Sequence, residues 1–158
     1  MTICDPGLEP TSLTDTSARL VVFRGFDEVL LAGSEWGEIG DPVVLLLHGQ
    51  SSTRHSWQLV GPGLAQSGFR VIALDARGHG DSGWAPENGN YRMETLAADV
   101  RRAVLQLDDK VALIGAGLGG TTGNMVAQEM GPSWIRSVTV ADPICTTPHM
   151  MATMLLSV

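Results

Sequence analysis

The segment Val111–Gly120, Val-Ala-Leu-Ile-Gly-Ala-Gly-Leu-Gly-Gly, constrains the fold of this chain more than any other part of it. A continuous apolar run of this length is typical of a strand that is buried on both faces. The glycines that follow indicate a sharp turn, since glycine adopts backbone conformations that are closed to other residues. The segment therefore predicts a buried strand, a tight turn and a helix in immediate succession.

The same segment follows the frame of a nucleophile elbow, in which Gly-x-Ser-x-Gly holds a reactive Ser on a strained turn between a strand and a helix. Here the frame is Gly115-x-Gly117-x-Gly119, so position 117 offers no hydroxyl, thiol or carboxylate. A residue other than glycine on such a turn costs roughly 1–3 kcal/mol. We therefore expect the turn to survive the loss of Ser, while covalent catalysis through this position is lost.

Composition favours a folded domain and excludes some partners. The chain has 158 residues, of which 44% are hydrophobic and 17% are charged, and this balance indicates a globular core rather than disorder. A net charge of −7 disfavours nucleic acid or an anionic membrane as a partner. No apolar stretch approaches the roughly 20 residues that a membrane-spanning helix needs.

The cysteines and the amino terminus bear on the compartment. Cys4 and Cys145 lie far apart in the sequence and form no framework, so we expect free thiols in a reducing environment. Residues 1–6 show neither the basic nor the apolar region of a signal peptide. The sequence therefore predicts a cytoplasmic protein.

Strand patterns and helix patterns alternate along the chain. Two short β-rich runs, Arg19–Arg24 and Glu28–Gly33, predict a hairpin. Four apolar runs of strand length follow, and three helical patterns lie between or beside them. The predicted strands are Val43–Leu47, Arg70–Asp75, Lys110–Ile114 and Ile135–Ala141, and the predicted helices are Trp57–Gln66, Met93–Leu107 and Leu118–Met130. This order predicts an α/β fold with six strands, in a mostly parallel sheet with helices on both faces.

The chain divides into three parts by composition. Residues 1–18 are rich in Pro, Thr, Ser and Asp and are predicted to be a flexible leader. Residues 19–148 form the core domain. Residues 149–158 are an apolar tail, interpreted as the start of a cap helix. A last strand without a neighbour and an apolar tail would need cover, so a homodimer through them is expected.

Three motifs occur in a fixed order and carry a family resemblance. His48-Gly49-Gln50-Ser51 follows the first apolar run, Arg77-Gly-His-Gly-Asp-Ser-Gly83 follows the second, and the glycine turn comes after an amphipathic helix. In this order the chain resembles the α/β-hydrolase superfamily, in particular its esterase, epoxide-hydrolase and haloperoxidase-like branch. The resemblance covers roughly residues 19–148 and implies hydrolysis of a small ester, epoxide or related electrophile, without a metal or organic cofactor.

The resemblance implies roles for matched positions. The backbone N–H groups of Gln50 and Leu118 correspond to the oxyanion hole, which the loop residues His48 and Gly49 would help to form. Asp142, after the last predicted strand, corresponds to a variant position of the catalytic acid. The loop that contains His79 is mainly architectural in the family, so this histidine is not taken as a catalytic base. His55 and His149 have no motif context and are expected at the surface, and the spacing of Cys145 and His149 is taken as chance.

The chain also departs from the family pattern. The nucleophile position is Gly117, and the family places its catalytic His after a final strand that lies beyond this segment. The resemblance therefore implies a truncated α/β-hydrolase fold that lacks the nucleophile and the base, and is inactive or impaired as a covalent hydrolase. A pseudoenzyme that binds a small-molecule ligand without covalent chemistry is the alternative.

A second alternative comes from a different class of proteins. Gly115-x-Gly117-x-x-Gly120 also satisfies the dinucleotide-binding fingerprint, in which a pyrophosphate lies at the amino terminus of a helix. Asp142, about 20 residues further on, would accept hydrogen bonds from a ribose. This interpretation leaves the two loops at His48 and Arg77 unexplained, so it ranks below the hydrolase interpretation.

Overall fold

One sheet forms the centre of the protein in the computed structural model, which describes residues 17–86 and 89–141 and the backbone of residues 156 and 157. In these parts of the chain the sheet has seven strands, and three α-helices pack on it. In chain order the elements are β1 (Arg19–Arg24), β2 (Leu30–Trp36), β3 (Val43–Leu47), α1 (Val60–Gln66), β4 (Arg70–Leu74), α2 (Met93–Leu107), β5 (Val111–Ala116), α3 (Leu118–Met130), β6 (Ile135–Ala141) and β7 (Leu156–Ser157).

The strand order is β1-β2-β4-β3-β5-β6-β7. The central pairs β4–β3, β3–β5 and β5–β6 are parallel, whereas β1–β2, β2–β4 and β6–β7 are antiparallel. Because β1 is antiparallel to β2 and β2 is antiparallel to β4, β1 runs in the direction of β4. Only β2 and β7 among these strands therefore run against the rest, which confirms the predicted mostly parallel sheet.

Both faces of the sheet are covered. Successive residues of β3 point to opposite faces, and all five of them are buried, which explains its continuous apolar run. On one face Leu45 and Leu113 lie in a core cluster with Val104 of α2 and Val126 of α3. On the other face Leu46 lies in a second core cluster, against which α1 packs. The predicted helices on both faces are confirmed.

Several predicted boundaries are wrong, and the largest shifts are those of the second hairpin strand and the first helix. The second strand of the hairpin runs over Leu30–Trp36 rather than Glu28–Gly33, because Phe26–Glu28 forms a 3-10 turn and β2 continues past Gly33 to pair with β4. The first helix begins at Val60 rather than Trp57, since Arg54–Trp57 is a separate 3-10 turn.

Several predictions fall on positions beyond those that the structure describes. They concern Cys4, Asp142, Cys145 and His149 and most of the apolar tail at 149–158. Within that tail Leu156–Ser157 is a strand rather than a helix, and it pairs with Ser137 and Val138 of β6. At these two residues β6 therefore has a neighbour within the same chain. The homodimer through the last strand and the apolar tail is a separate matter and stays a prediction. None of the described helices is long and apolar enough to cross a membrane.

Candidate active site

The turn between β5 and α3 has an unusual backbone at Gly117. Its φ of 49° and ψ of −114° lie outside the regions open to most L residues. Its N–H donates to the Ala141 carbonyl at 3.2 Å, and its carbonyl accepts from the Thr121 N–H at 3.1 Å, so the turn is held on both sides. A Cβ atom at position 117 would meet nothing closer than the Gly49 Cα at 4.0 Å. The backbone conformation favours glycine here, while the surrounding space has room for a side chain.

The neighbouring glycines serve a different purpose, which is close packing. A Cβ atom on Gly119 would overlap the Leu47 carbonyl, and one on Gly115 would overlap the backbone between Gly119 and Gly120. The first turn of α3 therefore lies directly against the carboxyl end of β3. This contact requires glycine at 115 and 119, the outer positions of the elbow frame. A Cβ atom on Gly120 would overlap the Val140 side chain and would lie 3.1 Å from the Gly115 carbonyl oxygen, so this glycine packs closely as well.

The loop after β3 meets this turn. A Cβ atom on Gly49 would lie 3.5 Å from the Ala116 carbonyl oxygen, so the two loops are in contact. Gln50 lies outside any helix or strand, and Leu118 is the first residue of α3. Within the described residues neither of these two amides donates a hydrogen bond. The structure thus brings both predicted loops to one edge of the sheet, and each loop has an N–H group without a partner among residues 17–86 and 89–141.

His48 is buried and fixed in one tautomer. Its Nδ1 lies 2.7 Å from the Gly49 carbonyl, which can only accept, so Nδ1 carries the proton. Its Nε2 accepts the Ala76 N–H at 3.0 Å and is therefore unprotonated. Burial lowers the pKa of His48 below the ordinary value of 6.5. The ring is a neutral strut between the two loops, since both nitrogens are bonded to backbone.

His79 is the second ring at this edge. Its Nε2 lies 2.7 Å from the Gln50 carbonyl oxygen, and its Nδ1 lies 3.1 Å from the Arg77 carbonyl oxygen. The centre of its ring is 5.1 Å from that of His48. Both nitrogens have backbone partners, and this arrangement agrees with an architectural position for His79.

Sequence reasoning missed a buried ion-pair cluster around Arg54. The guanidinium is almost fully buried and bonds the Asp75 carboxylate, the Asp81 carboxylate at 2.6 Å and the Ser34 hydroxyl at 3.1 Å. Burial alone would lower the pKa of Arg54, but the hydrogen bonds to Asp81 and Asp75 outweigh it and raise that pKa. Arg54 lies in a stretch without helical or strand periodicity. The only signal in the sequence was the two aspartates, Asp75 and Asp81, whose negative charges require a cation where they are buried.

A second missed pair joins the loop after β4 to α2. Arg77 is fully buried, and its guanidinium binds both carboxylate oxygens of Asp99 at 2.6 and 2.7 Å. The Phe26 N–H also donates to Asp99 at 2.7 Å, and the Phe26 carbonyl accepts from Arg77 at 2.9 Å. The hydrogen bonds to Asp99 raise the pKa of Arg77. This network fixes the loop on which His79 stands.

A small cavity lies beneath the two loops. Its volume is about 30 Å³, room for about one water molecule. Its walls include His48 and Thr122 and, from the turn, Leu118 and Gly119. Among residues 17–86 and 89–141, no cluster of three His, Cys, Asp or Glu side chains is placed to hold a metal ion.

A mostly parallel sheet with helices on both faces, and a glycine turn at the carboxyl end of β5 beside the central strand β3, match the α/β-hydrolase fold. The sequence model of the alpha/beta hydrolase fold family matches residues 42–157. The chain belongs to this family.

Known relatives and solved structures are consistent with that assignment. The chain is 44% identical over 59 residues to bifunctional epoxide hydrolase 2 of Rattus norvegicus, covering 37% of this chain and 11% of the rat protein. It is 33% identical over 113 residues to a serine hydrolase-like protein of Danio rerio, covering 71% of this chain and 34% of that protein. The crystal structure of epoxide hydrolase A from Mycobacterium thermoresistibile matches with a TM-score of 0.68 and 31% identity, over 80% of this chain and 38% of that one. The chain spans about a third or less of the length of the two curated relatives described here.

Proposed function

We propose that this chain is an α/β-hydrolase-fold protein that retains an oxyanion hole but does not act as a covalent hydrolase through position 117. The observation that carries the proposal is the turn at Gly117. It has the place and the strained backbone of a nucleophile elbow, and it has room for a side chain, but it has no group that can attack. A triad acts as a unit, so without its nucleophile only binding and oxyanion stabilisation remain.

The oxyanion hole is assigned to the N–H groups of Gln50 and Leu118. Both are unpaired within the described residues, and they lie on two loops that touch. An unpaired amide at this edge is available to a ligand oxygen, and such donors contribute about 3–4 kcal/mol where an oxyanion develops. The amino terminus of α3 adds a favourable partial charge for an oxyanion.

The proposed ligand is a small ester, epoxide or related electrophile, or its hydrolysis product. This class follows from the resemblance to hydrolases and from the names of relatives such as the epoxide hydrolases. In this proposal His48 and Gly49 shape the loop, and Asp142 is the candidate acid after β6. The dinucleotide alternative is less favoured, because it leaves the loops at His48 and Arg77 unexplained. Saturable micromolar binding of NAD or FAD in a calorimetric titration would reverse this ranking.

The absence of covalent chemistry is tested by turnover of p-nitrophenyl acetate. We expect the purified chain to hydrolyse this ester no faster than the same protein after treatment with a serine-directed phosphonate. A rate that disappears on phosphonate treatment would show a reactive Ser and refute this half of the proposal.

The oxyanion hole is tested with an acyl group placed in it. A chain carrying Gly117→Cys, with Cys4 and Cys145 replaced by Ser, is acetylated with a carbon-13-labelled acetyl group, and the infrared band of the thioester carbonyl is recorded. Hydrogen bonds from Gln50 and Leu118 weaken the carbonyl bond, so we expect a band at lower frequency than in a control with Gly131→Cys. Gly131 is a matched position, since it has positive φ and open space at the other end of α3. Equal frequencies would contradict the oxyanion hole.

A further inference from the structure

The His79 ring links two loops at the carboxyl edge of the sheet. Its Nε2 lies 2.7 Å from the Gln50 carbonyl oxygen and its Nδ1 lies 3.1 Å from the Arg77 carbonyl oxygen. A carbonyl oxygen can only accept, and the shorter contact places an N–H on Nε2, toward Gln50. His79 is thus the donor that ties the Gln50 carbonyl to the loop after β4.

The peptides on both sides of Gln50 are held by histidine rings. The Gly49 carbonyl accepts from His48 Nδ1 at 2.7 Å, and the Gln50 carbonyl accepts from His79. In a trans peptide the C=O and the N–H point in opposite directions, so fixing the Gly49 carbonyl aims the Gln50 N–H. The bond from His79 to the Gln50 carbonyl holds the next peptide, so both peptide planes that flank the Gln50 Cα are restrained.

The loop that carries His79 is rigid. Arg77 is fully buried and paired with Asp99, and the Ser82 hydroxyl donates to the Asp75 carbonyl at 2.7 Å. The loop that carries Gln50 has less support of its own, with one backbone hydrogen bond from Ser52 to Gly49 at 3.1 Å. The hydrogen bond from His79 therefore restrains the Gln50 loop by linking it to the rigid loop after β4.

We propose that His79 is a positioning residue, whose Nε2–H holds the Gln50 carbonyl so that the Gln50 N–H points into the oxyanion hole. This inference rests on the proposed function, since it names what orients one of the two donors. The hydrogen bond lies at an exposed position. Its loss should therefore disturb the direction of one amide far more than the stability of the fold.

The thioester band tests this role. In the chain with Gly117→Cys and no other cysteine, we compare the labelled carbonyl band with His79 present, with His79→Ala, and with His79→Gln, whose side-chain amide can still donate to Gln50. We expect His79→Ala to move the band part of the way to the frequency of the Gly131→Cys control, because the Leu118 N–H still donates, and His79→Gln to leave it near the parent. Urea midpoints and circular dichroism verify that each variant is folded, and His79→Phe replaces His79→Ala if alanine prevents folding.

The outcomes separate the inference from the proposed function. A parent band that equals the Gly131→Cys control means that there is no oxyanion hole, and the proposed function and the inference fail together. A shifted parent band that stays unchanged in His79→Ala, or in His79→Phe where that variant replaces it, overturns the inference alone. A band that moves in His79→Gln as far as in His79→Ala also overturns it, because a donor would then be irrelevant.

Discussion

A thiol at position 117 measures how strongly this site stabilises a negative charge. Gly117→Cys places the thiol at the amino terminus of α3, and Gly131→Cys places one at the carboxyl terminus of the same helix. Both glycines have positive φ, 49° and 66°, and neither has an atom closer than 4.0 Å to where its Cβ would lie. Both positions therefore have a backbone that favours glycine and open space for a side chain, and they lie at ends of α3 with opposite partial charge.

The size of the effect follows from two contributions. A charge at a helix terminus typically interacts with the helix dipole by about 0.3–1 kcal/mol, favourably at the amino end and unfavourably at the carboxyl end, so the two thiolates differ by about 0.6–2 kcal/mol. A hydrogen bond from an unpaired amide to a charged acceptor adds about 1.5 kcal/mol. A total of about 2–3.5 kcal/mol corresponds to an acid dissociation constant about 30- to 400-fold larger for the thiol of Gly117→Cys, since 1.36 kcal/mol is tenfold.

The assay is the pH dependence of alkylation by iodoacetamide, in chains whose Cys4 and Cys145 are replaced by Ser. Thiolate absorbance at 240 nm provides a second measurement of the same ionisation. Equal dissociation constants for the two thiols, or a larger one for Gly131→Cys, would refute the argument that the Gly117 turn favours an anion.

Three further predictions concern the supports of the site. Asp99→Asn leaves the buried Arg77 charge without its partner and should lower the free energy of unfolding by about 3–5 kcal/mol. Glu129→Gln, at the exposed pair with Arg101, should change that free energy by at most about 1 kcal/mol. Urea denaturation measures both variants, and equal effects would contradict the account. Gly119→Ala should prevent or severely weaken folding, because its Cβ would overlap the Leu47 carbonyl. Gly63→Ala in α1, with open space around it, should leave the free energy of unfolding unchanged or raise it by up to about 1 kcal/mol. A tolerated Gly119→Ala would disprove the close contact. The lowered pKa of His48 means that the unfolded chain takes up a proton before the native state does, so stability should fall as the pH falls below 6.5. His48→Gln should flatten that part of the stability curve, and an unchanged slope would show that His48 is not responsible.

The regular elements of this fold were predictable because their residues repeat a simple pattern. The buried strand Val43–Leu47 is apolar at every position, and the stripe of α2 faces the core with the period of a helix. The end of β2 was not predictable in this way. Glu35, near that end, is buried, and it is a charged residue whose partner Arg70 lies on another strand.

The site was predictable in outline and not in its supports. The glycine turn and the His48–Gln50 loop can be identified by their motifs, since close backbone contacts allow few residue types at these positions. Arg54, Asp99 and the bond from His79 to Gln50 are tertiary contacts between distant segments. A single sequence has no local pattern that identifies which aspartate a buried arginine will meet.

The central claim, a hole for an oxyanion with no group beside it that can attack, is tested most directly by covalent trapping. The natural chain is incubated with p-nitrophenyl acetate, its intact mass is measured, and any adduct is located by peptide mapping. We predict no acetyl group on any side chain that lines the two loops at Gln50 and Gly117. An acetyl group on such a side chain, formed faster than on Lys110, the one lysine of the sequence, would contradict the account.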